Sequence, residues 1–526
     1  MGNTILKSCV WIAVVAIGAL ALSGRAAEYP CETHARMQPS RQSPEWLRRG
    51  VIYQFKTANF TPEGTIRSAQ ARLGYLADLG VNVVYTIPVF MMDDDNDPRY
   101  GGDRLLKIGL AKSPYRIKDF FHVDPAFGTD QDLRSFVAEA HRLGLKVIMD
   151  VVYLHAGCGA RVFKDYPATG RRRADGSLRP GTWKFPVFDY TNPATREYFL
   201  TNLTYLQIDY GVDGFRCDVG TAVPLDFWCD GRKRLEALRP GDIALLCEGF
   251  EPNTQVTAFD ADYGWFRGEN VFSKGESANE RIRRYWEAVE HESTKGAKFI
   301  RHYENHDLAV QIRPRREATW GAAFTEQVLA WMFFSDGVPM LFSGNEIADT
   351  SDSQAWAGRR FIDWSQAEAE PGRSRLEYVK RLIELRKTRR ELTDGCGRLY
   401  QIWLDTSLPD DVTAFVRRSD AGKMLLVVQN WRDRTLEADV SFANTKESMP
   451  DWLKEEDDPD LTVRGSVGNP LLVRRASFAG NGRFRLEGYG TFVAELQNDD
   501  VRYNLQGFGK KKDGATRTDF VAGRVE

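Results

Sequence analysis

This sequence has no large excess of positive or negative charge. It also lacks zinc-type cysteine motifs and nucleotide-binding glycine motifs. Its 526 residues carry 71 basic and 73 acidic side chains, so the formal net charge is only −2. This balance gives no argument for a nucleic-acid partner or an acidic membrane surface. No C-x-x-C or clustered Cys/His spacing suggests a zinc site, and no G-x-G-x-x-G or P-loop motif follows a predicted strand. Zinc-dependent and nucleotide-dependent functions are therefore disfavoured.

Long apolar runs are also scarce, and the one that exists lies near the N-terminus. Lys7 precedes an apolar run over residues 9–22, and small residues follow at 23–27. The run is too short for a comfortable membrane span, and the pattern predicts a secretory signal peptide over residues 1–27. We expect a secreted or periplasmic protein without a membrane anchor once the signal is removed.

Cysteine is infrequent, and removal of the signal leaves six. Export permits disulfides, but a chain of this size does not need them, and their pairing cannot be read from sequence. Cys217 and Cys247 lie on neighbouring predicted strands and are expected to be buried free thiols, with a bridge between them as the alternative. The six are Cys31, Cys158, Cys217, Cys229, Cys247 and Cys396.

What the sequence does contain is a regular alternation of β-prone and helical segments from about residue 50 to residue 390. Most of the β-prone runs are separated by segments with helical periodicity, such as 67–79 and 132–143. Runs that are apolar on both faces favour a parallel sheet covered by helices, and eight of them predict a closed (β/α)₈ TIM barrel. A doubly wound open sheet is the alternative. The eight runs are 51–55, 81–90, 145–152, 212–219, 242–248, 258–266, 298–304 and 338–343.

The domain organisation follows from where this alternation ends. We assign residues 28–394 to the barrel, with a short inserted loop domain after the third strand, at about 156–186. Short β-like runs separated by turn residues predict a C-terminal all-β sandwich over 395–497. The tail, 498–526, lacks apolar periodicity and is expected to be flexible.

The segment GFRCDVG, residues 214–220, carries two charges in a small and apolar run. In a strand, Arg216 and Asp218 point to the same side, because side chains alternate with a period of two. A buried carboxylate needs a partner to stay ionised, and Arg216 is placed to be that partner. An isolated pair of this kind is more often structural than functional.

Other polar residues at predicted strand ends make a functional explanation of this pair more favourable than a structural one. Catalytic groups of a parallel barrel sit at the carboxyl ends of its strands, so these side chains are expected to converge on one mouth. Unpaired charges clustered in one place cost stability, which favours a functional explanation. The residues are Asp150, His155, Arg216, Asp218, Glu248, His306 and Asp307.

At this point the sequence resembles a known family. DVVYLH (150–155), GFRCD (214–218), CEGF (247–250) and ENHD (304–307) look like the four ordered motifs of the α-amylase family of glycoside hydrolases. The resemblance covers roughly residues 45–497, and four motifs in order are a specific signal. It implies a retaining (β/α)₈ enzyme that acts on α-glucan oligosaccharides or polysaccharides.

The resemblance also implies roles for individual residues. Asp218 would be the nucleophile and Glu248 the general acid/base, while Asp307 would steady the distorted sugar. Retention requires one ionised and one protonated carboxyl about 5 Å apart, which neighbouring strands can supply. Asp150 is as consistent with supporting the strand end as with binding the sugar. The residues expected to contact the sugar or hold the carboxylates are Tyr115, His155, Arg216, His306 and Asp150.

One departure from the family concerns calcium. Leu154 stands where the family usually has asparagine, a common calcium ligand that leucine cannot replace. We therefore expect no required cofactor and assign no metal ligands, and calcium binding stays open as the alternative. The acidic run 93–97 is expected to be a solvated loop, with cation binding as the lesser alternative, and Glu346 is expected to be a local hydrogen-bonding residue.

Three functions remain open on the sequence. The first is hydrolysis of α-glucosidic bonds through a covalent glycosyl-aspartate intermediate. The second is transglycosylation, because the same intermediate serves water or an acceptor sugar. The third is non-catalytic carbohydrate binding, which the presence of all three carboxylates, Asp218, Glu248 and Asp307, argues against. Linkage preference, exo or endo action and oligomeric state are not predicted.

Overall fold

The computed structural model describes residues 38–102, 112–249, 251–263, 282, 286, 293–308, 314–351, 361–397, 399–444 and 460–504. The predicted signal peptide and Cys31 lie outside these residues. So do the positions after 504 of the tail that the sequence predicts to be flexible.

Eight parallel strands form a closed barrel, as the alternation predicts. Around the barrel each strand pairs with the next, and the last pairs with the first, in the order β1, β2, β5, β6, β7, β8, β9 and β10. The strands β3 and β4 form a separate antiparallel pair outside the barrel. The bounds are β1 (Ile52–Phe55), β2 (Val83–Thr86), β3 (Phe90–Met92), β4 (Ile117–Val123), β5 (Lys146–Val151), β6 (Gly214–Cys217), β7 (Ala244–Cys247), β8 (Ala261–Tyr263), β9 (Phe299–Arg301) and β10 (Val338–Phe342).

Both faces of the barrel strands are buried, which explains their nearly continuous apolar sequences. Alternate residues such as Ile148 and Leu246 fill the barrel interior. The residues between them, including Phe215, face the surrounding helices. Cys217 and Cys247 are side by side in this outer layer and are free thiols, as predicted.

Helices cover the barrel, and one predicted helical segment is interrupted. The segment 67–79 is broken into two short helices, α3 and α4, and the helix α7 passes into a π-helical turn, Leu206–Tyr210. None of the helices in the described part of the chain is long and apolar enough to cross a membrane. The helices are α1 (Glu45–Arg48), α2 (Thr57–Phe60), α3 (Ile66–Gln70), α4 (Leu73–Leu79), α5 (Asp130–Arg142), α6 (Arg161–Asp165), α7 (Pro193–Tyr205), α8 (Leu225–Leu238), α9 (Thr254–Thr257), α10 (Arg316–Trp320), α11 (Ala322–Phe334) and α12 (Gly372–Thr388).

The C-terminal part is all β, as predicted. Its seven strands form one curled sheet, in which β13 pairs with both β12 and β17 so that the sheet folds over its own apolar core. The last strand runs past the predicted boundary at 497, because its pairing with β16 continues to Asn504. The strands are β11 (Gln401–Thr406), β12 (Val412–Arg418), β13 (Met424–Asn430), β14 (Leu436–Ser441), β15 (Ala443–Asn444), β16 (Asp460–Gly480) and β17 (Arg483–Asn504).

The two parts of the molecule are joined through α11. Most of this helix is buried, and it packs against both the barrel and the C-terminal sheet. Glu326 forms ion pairs with Arg474 and Arg475 of β16, at 2.8 and 2.9 Å. These pairs fix the sheet against the outside of the barrel.

Candidate active site

The barrel topology brings the predicted carboxylates to one mouth. Asp150 lies in β5 and Arg216 in β6, while Asp218 follows β6 and Glu248 follows β7. Asp307 lies in the segment after β9. Each position is at the carboxyl end of its strand, where the loops of a parallel barrel form the functional face.

Arg216 is the centre of this group. Its side chain is fully buried, and its Nη1 donates to Asp150 Oδ1 at 2.9 Å and to Asp218 Oδ1 at 2.9 Å. Its Nη2 lies 2.7 Å from Glu248 Oε2. Burial alone would lower the pKa of Arg216, but Asp150 and Glu248 raise it well above its usual value. One permanent positive charge is therefore shared by three carboxyl groups.

The carboxyl groups outnumber this cation, and their pKa values are raised. Burial is the largest cause for Asp150, whose pKa rises to about 6 although Arg216 opposes the shift. Burial and then the charge of Glu248 raise the pKa of Asp218 well above its usual value. Burial also raises the pKa of Asp307. The group therefore retains protons at a pH at which isolated carboxyls are ionised.

Glu248 is turned toward the floor of the mouth. Besides its contact with Arg216, its Oε2 accepts the backbone N–H of Val219 at 2.6 Å. Val219 has a φ of 42°, a left-handed conformation that is costly for a β-branched residue. Both contacts are made by one oxygen of Glu248, whereas Asp218 Oδ2 has no hydrogen-bond partner in the described part of the chain. The raised pKa of Asp218 favours a proton on that carboxyl.

A hydrogen-bonded relay positions Tyr115. Gln54 Oε1 accepts the backbone N–H of His306 at 3.1 Å, so the amide nitrogen of Gln54 is the atom that donates to His306 Nδ1 at 2.9 Å. We assign the proton of His306 to Nε2, which lies 2.6 Å from the Tyr115 hydroxyl. That hydroxyl in turn donates to Asp150 Oδ2 at 2.9 Å. Burial lowers the pKa of His306 well below its usual value, which keeps the ring neutral.

The structure separates the predicted sugar-contacting residues into two layers. Asp307 has a side chain that is 22% exposed, and Tyr115 is partly buried with its ring stacked on His306. In contrast Asp150, Arg216 and His306 are fully buried. Arg216 contacts Asp218, in line with the role of holding that carboxylate, and Asp150 supports the strand end through its contacts with Arg216 and Tyr115. Contact of His306 with the sugar stays a prediction, since both of its ring nitrogens have protein partners. We assign Asp150 and Arg216 to positioning the accessible groups.

His155 is the residue with the most unused hydrogen-bonding capacity. It is only 4% exposed, and within the described residues neither ring nitrogen has a hydrogen-bond partner. Burial lowers its pKa to about 4, with the Tyr115 backbone opposing the shift, so the ring is neutral at pH 7. The rings of Trp183 and Phe185 lie 5.6 and 5.2 Å from it, centroid to centroid. A neutral imidazole whose ring nitrogens are engaged by at most the Tyr115 backbone suits a hydroxyl-bearing ligand.

The usual calcium site of the family does not fit these residues. Leu154 packs against the apolar core, as its side chain predicts. The sequence predicts a solvated loop over 93–97, but the side chain of Asp93 is fully buried. Its Oδ2 accepts the N–H of Gly159 at 3.0 Å and lies 3.5 Å from the buried guanidinium of Arg116. Among the described residues no group of three or more His, Cys, Asp or Glu side chains is arranged to hold a metal ion.

Sequence reasoning missed several residues that hold the site. Gln54 carried a detectable signal, because it is a lone polar residue in the apolar run VIYQF and points into the barrel. The role of Val219 depends on its backbone conformation, and that of Trp183 on the fold of the inserted loop, so neither carried a signal. Glu346 is buried and accepts the hydroxyls of Tyr53 at 2.8 Å and Tyr75 at 3.2 Å, in line with the local role expected for it.

Comparisons with known proteins agree with this geometry. A family model described as the catalytic domain of alpha amylase matches residues 51–175. Maltogenic alpha-amylase from Bacillus acidopullulyticus is 22% identical over 463 residues, which are 79% of this chain and 75% of that protein. Neopullulanase 2 from Thermoactinomyces vulgaris is 26% identical over 454 residues, which are 74% of this chain and 70% of that protein.

A solved structure has the same fold. The maltogenic alpha-amylase AmyB from Thermotoga neapolitana superimposes with a TM-score of 0.66 at 23% identity. The match covers 87% of this chain and all of that one.

Proposed function

The chain belongs to the α-amylase family of glycoside hydrolases, and we propose that it is a retaining enzyme that cleaves α-glucosidic bonds in starch-like oligosaccharides or polysaccharides. The observation that carries this proposal is the contact of Asp218 and Glu248 with the two Nη atoms of one guanidinium. Two carboxyls that contact one guanidinium are near neighbours, which favours retention, since retaining enzymes hold their two carboxyls about 5 Å apart.

Asp218 is proposed as the nucleophile. Its Oδ1 is held by Arg216, and its Oδ2, which has no hydrogen-bond partner among the described residues, is free to attack the anomeric carbon. The bond from that carbon to the leaving oxygen breaks as the bond to Asp218 forms. Glu248 gives its proton to the leaving oxygen, and then takes a proton from the water that releases the sugar.

This cycle requires a rearrangement of Glu248. In the free protein its Oε2 contacts Arg216 and the Val219 N–H, whereas the first step needs a protonated oxygen turned toward the sugar. We propose that a bound sugar draws Glu248 away from these contacts and that the shared proton moves to it. Asp218, left alone with Arg216 and Asp150, is then stabilised as the ionised nucleophile.

Three further residues are proposed to bind the same sugar. Tyr115 offers its ring face, held in place by the relay through His306. Asp307 offers exposed carboxylate oxygens to hydroxyl groups, and His155 offers its ring nitrogens. The named activities of the relatives, which include a maltogenic amylase and a neopullulanase, support an α-glucan substrate.

We also propose that the protein acts outside the cytoplasm and without calcium. The first part is supported by the signal-like pattern of Lys7 and the apolar run 9–22. The second is supported by Leu154 and by Arg116, whose guanidinium lies against the acidic loop. N-terminal sequencing of exported protein tests the first, and a start at the native methionine would contradict it.

The function is tested with protein lacking residues 1–27, incubated with starch, pullulan and maltooligosaccharides and followed by NMR. We expect α-anomeric products from at least one substrate, and no turnover by Asp218→Asn. Asp209→Asn, a change of the same kind at a partly exposed helical turn, is the control and should keep the parental rate. β-Anomeric products, or an Asp218→Asn variant with near-parental kcat, would contradict the proposal. New longer oligosaccharides would favour transglycosylation by the same site.

A further inference from the structure

One large aromatic side chain near the mouth is left open to solvent. Trp183 is 40% exposed, although tryptophan is usually well buried. It lies on the inserted loop after β5, and its ring centroid is 5.6 Å from that of His155. A single exposed apolar residue is common on protein surfaces and needs no explanation by itself. The position of Trp183 beside the buried side chain of His155 does need an explanation.

The backbone holds this tryptophan in place. Trp183 belongs to a tight turn in which Gly181 N–H donates to the Phe185 carbonyl at 2.8 Å and Lys184 N–H donates to the Gly181 carbonyl at 3.0 Å. Lys184 has a φ of 66°, which closes the turn through the left-handed region. A Cβ at Gly101 would lie 3.1 Å from the Trp183 carbonyl oxygen, so the turn packs closely on the neighbouring loop. These contacts fix the backbone of Trp183, so less conformational freedom is left to lose when its side chain meets a ligand.

Trp183 also extends the line of groups in the mouth. His306 contacts both Asp307 and Tyr115, the Tyr115 backbone lies near His155, and His155 neighbours Trp183. The line therefore runs from the carboxylates toward the rim formed by the inserted loop. A sugar held by the carboxylates and His155 would place the next unit of its chain within reach of the indole.

We propose that Trp183 is a stacking platform for a second sugar unit, so that the enzyme favours oligosaccharides that extend beyond the cleaved residue. The flat indole matches the apolar C–H face of a pyranose ring, and covering both removes apolar area from water. This inference rests on the proposed function and specifies the substrate as a chain long enough to reach the rim.

The test measures binding of maltoheptaose by calorimetry, in the Asp218→Asn background so that no turnover occurs. Trp183→Ala should weaken binding about tenfold, the loss typical of an anchoring aromatic residue. Trp183→Phe should recover part of this loss, because a flat ring remains. The control is Tyr166→Ala. Tyr166 is a 49% exposed aromatic residue on the same loop, but its ring packs on Tyr198 and not on the site.

Two readouts separate this inference from the proposed function. Maltoheptaose should change the tryptophan fluorescence of the parent, and part of that change should be lost in Trp183→Phe. If the parent cleaves and binds maltoheptaose but Trp183→Ala binds it equally well, the platform is overturned and the proposed function stands. If the parent neither cleaves nor binds it, both are overturned.

Discussion

Arg216 controls the protonation of the mouth at the scale of single residues. Three carboxyls contact it, and burial raises the pKa values of Asp150 and Asp218 in spite of its charge. A group whose pKa is raised by folding contributes stability below its unfolded pKa, near 3.8 here, and loses it as the pH rises through the folded value. The active-site carboxyls therefore reduce stability at neutral pH.

Replacement of one of these carboxyls should stabilise the fold while it removes activity. We expect Asp218→Asn to raise Tm by about 1–3 °C at pH 7.5, because a competing buried carboxyl is lost. The gain should shrink toward zero below about pH 3, where the parental group is protonated in both states. Thermal unfolding across this pH range measures it. An equal or lower Tm at pH 7.5 would contradict the electrostatic account.

The sequence identified this chemistry but not its layering. Asp218, Glu248 and Asp307 were found because motif order and strand ends mark them. Arg216, His306 and their partners lie below the mouth because their polar atoms are already hydrogen-bonded to other protein groups. The periodicity of apolar residues in the sequence does not show which polar atoms are hydrogen-bonded.

At the scale of elements, the loops after β6 and β7 determine how Glu248 is held. Val219 N–H, in a left-handed conformation after β6, contacts the carboxylate of Glu248. After β7, Gly249 has a φ of 132°, and a Cβ there would lie 2.4 Å from Thr221 Oγ1 of the other loop. The two loops are therefore closely interlocked beside Glu248, the proposed general acid.

Gly249→Ala should disturb this interlock. We expect kcat to fall about tenfold or more with the fold retained, because the new methyl pushes the loops apart and moves Glu248. The double variant Gly249→Ala/Thr221→Ala should recover part of the loss, since the clashing hydroxyl is gone. Steady-state kinetics and circular dichroism of both variants measure this. Parental kcat in Gly249→Ala would show that the interlock does not position Glu248.

The presence of the barrel strands could be predicted from sequence better than the interruptions within the helices. The eight barrel strands follow from apolar runs buried on both faces. The break between α3 and α4 and the π-helical turn after α7 arise from tertiary packing, which overrides a continuous helical pattern.

At the scale of the whole molecule, buried ion pairs outside the site have the opposite pH dependence. Glu326 joins α11 to β16, and although burial alone would raise its pKa, Arg474, Arg375 and Arg475 lower it. A group whose pKa is lowered by folding contributes stability above its unfolded pKa and loses it as the pH falls through the folded value. The contact between barrel and C-terminal sheet is therefore weakened in acid.

Glu326→Gln tests this contact. We expect the free energy of unfolding to fall by about 2 kcal/mol at pH 7, because two arginines lose their partner. The difference from the parent should diminish at pH 3, where Glu326 is protonated. Urea unfolding at both pH values measures it, with Glu437→Gln, at an exposed position of β14, as the control. An unchanged midpoint at pH 7 would contradict the role of this ion pair.

Calcium removal bears on the molecule as a whole. Leu154 and Arg116 lie where the family usually binds calcium, and they do not provide calcium ligands. Chelation with about 5 mM EDTA should therefore leave Tm and activity unchanged. A loss of several degrees that added calcium restores would contradict this.

The central claim is that Asp218 forms a covalent bond to the sugar, and trapping that bond tests it most directly. The Glu248→Gln variant is incubated with α-maltotriosyl fluoride, whose leaving group needs no proton, so the intermediate forms but its hydrolysis lacks a base. Peptide mapping by mass spectrometry should find the added trisaccharide on Asp218. An adduct on another residue, or β-anomeric release without any adduct, would contradict the account.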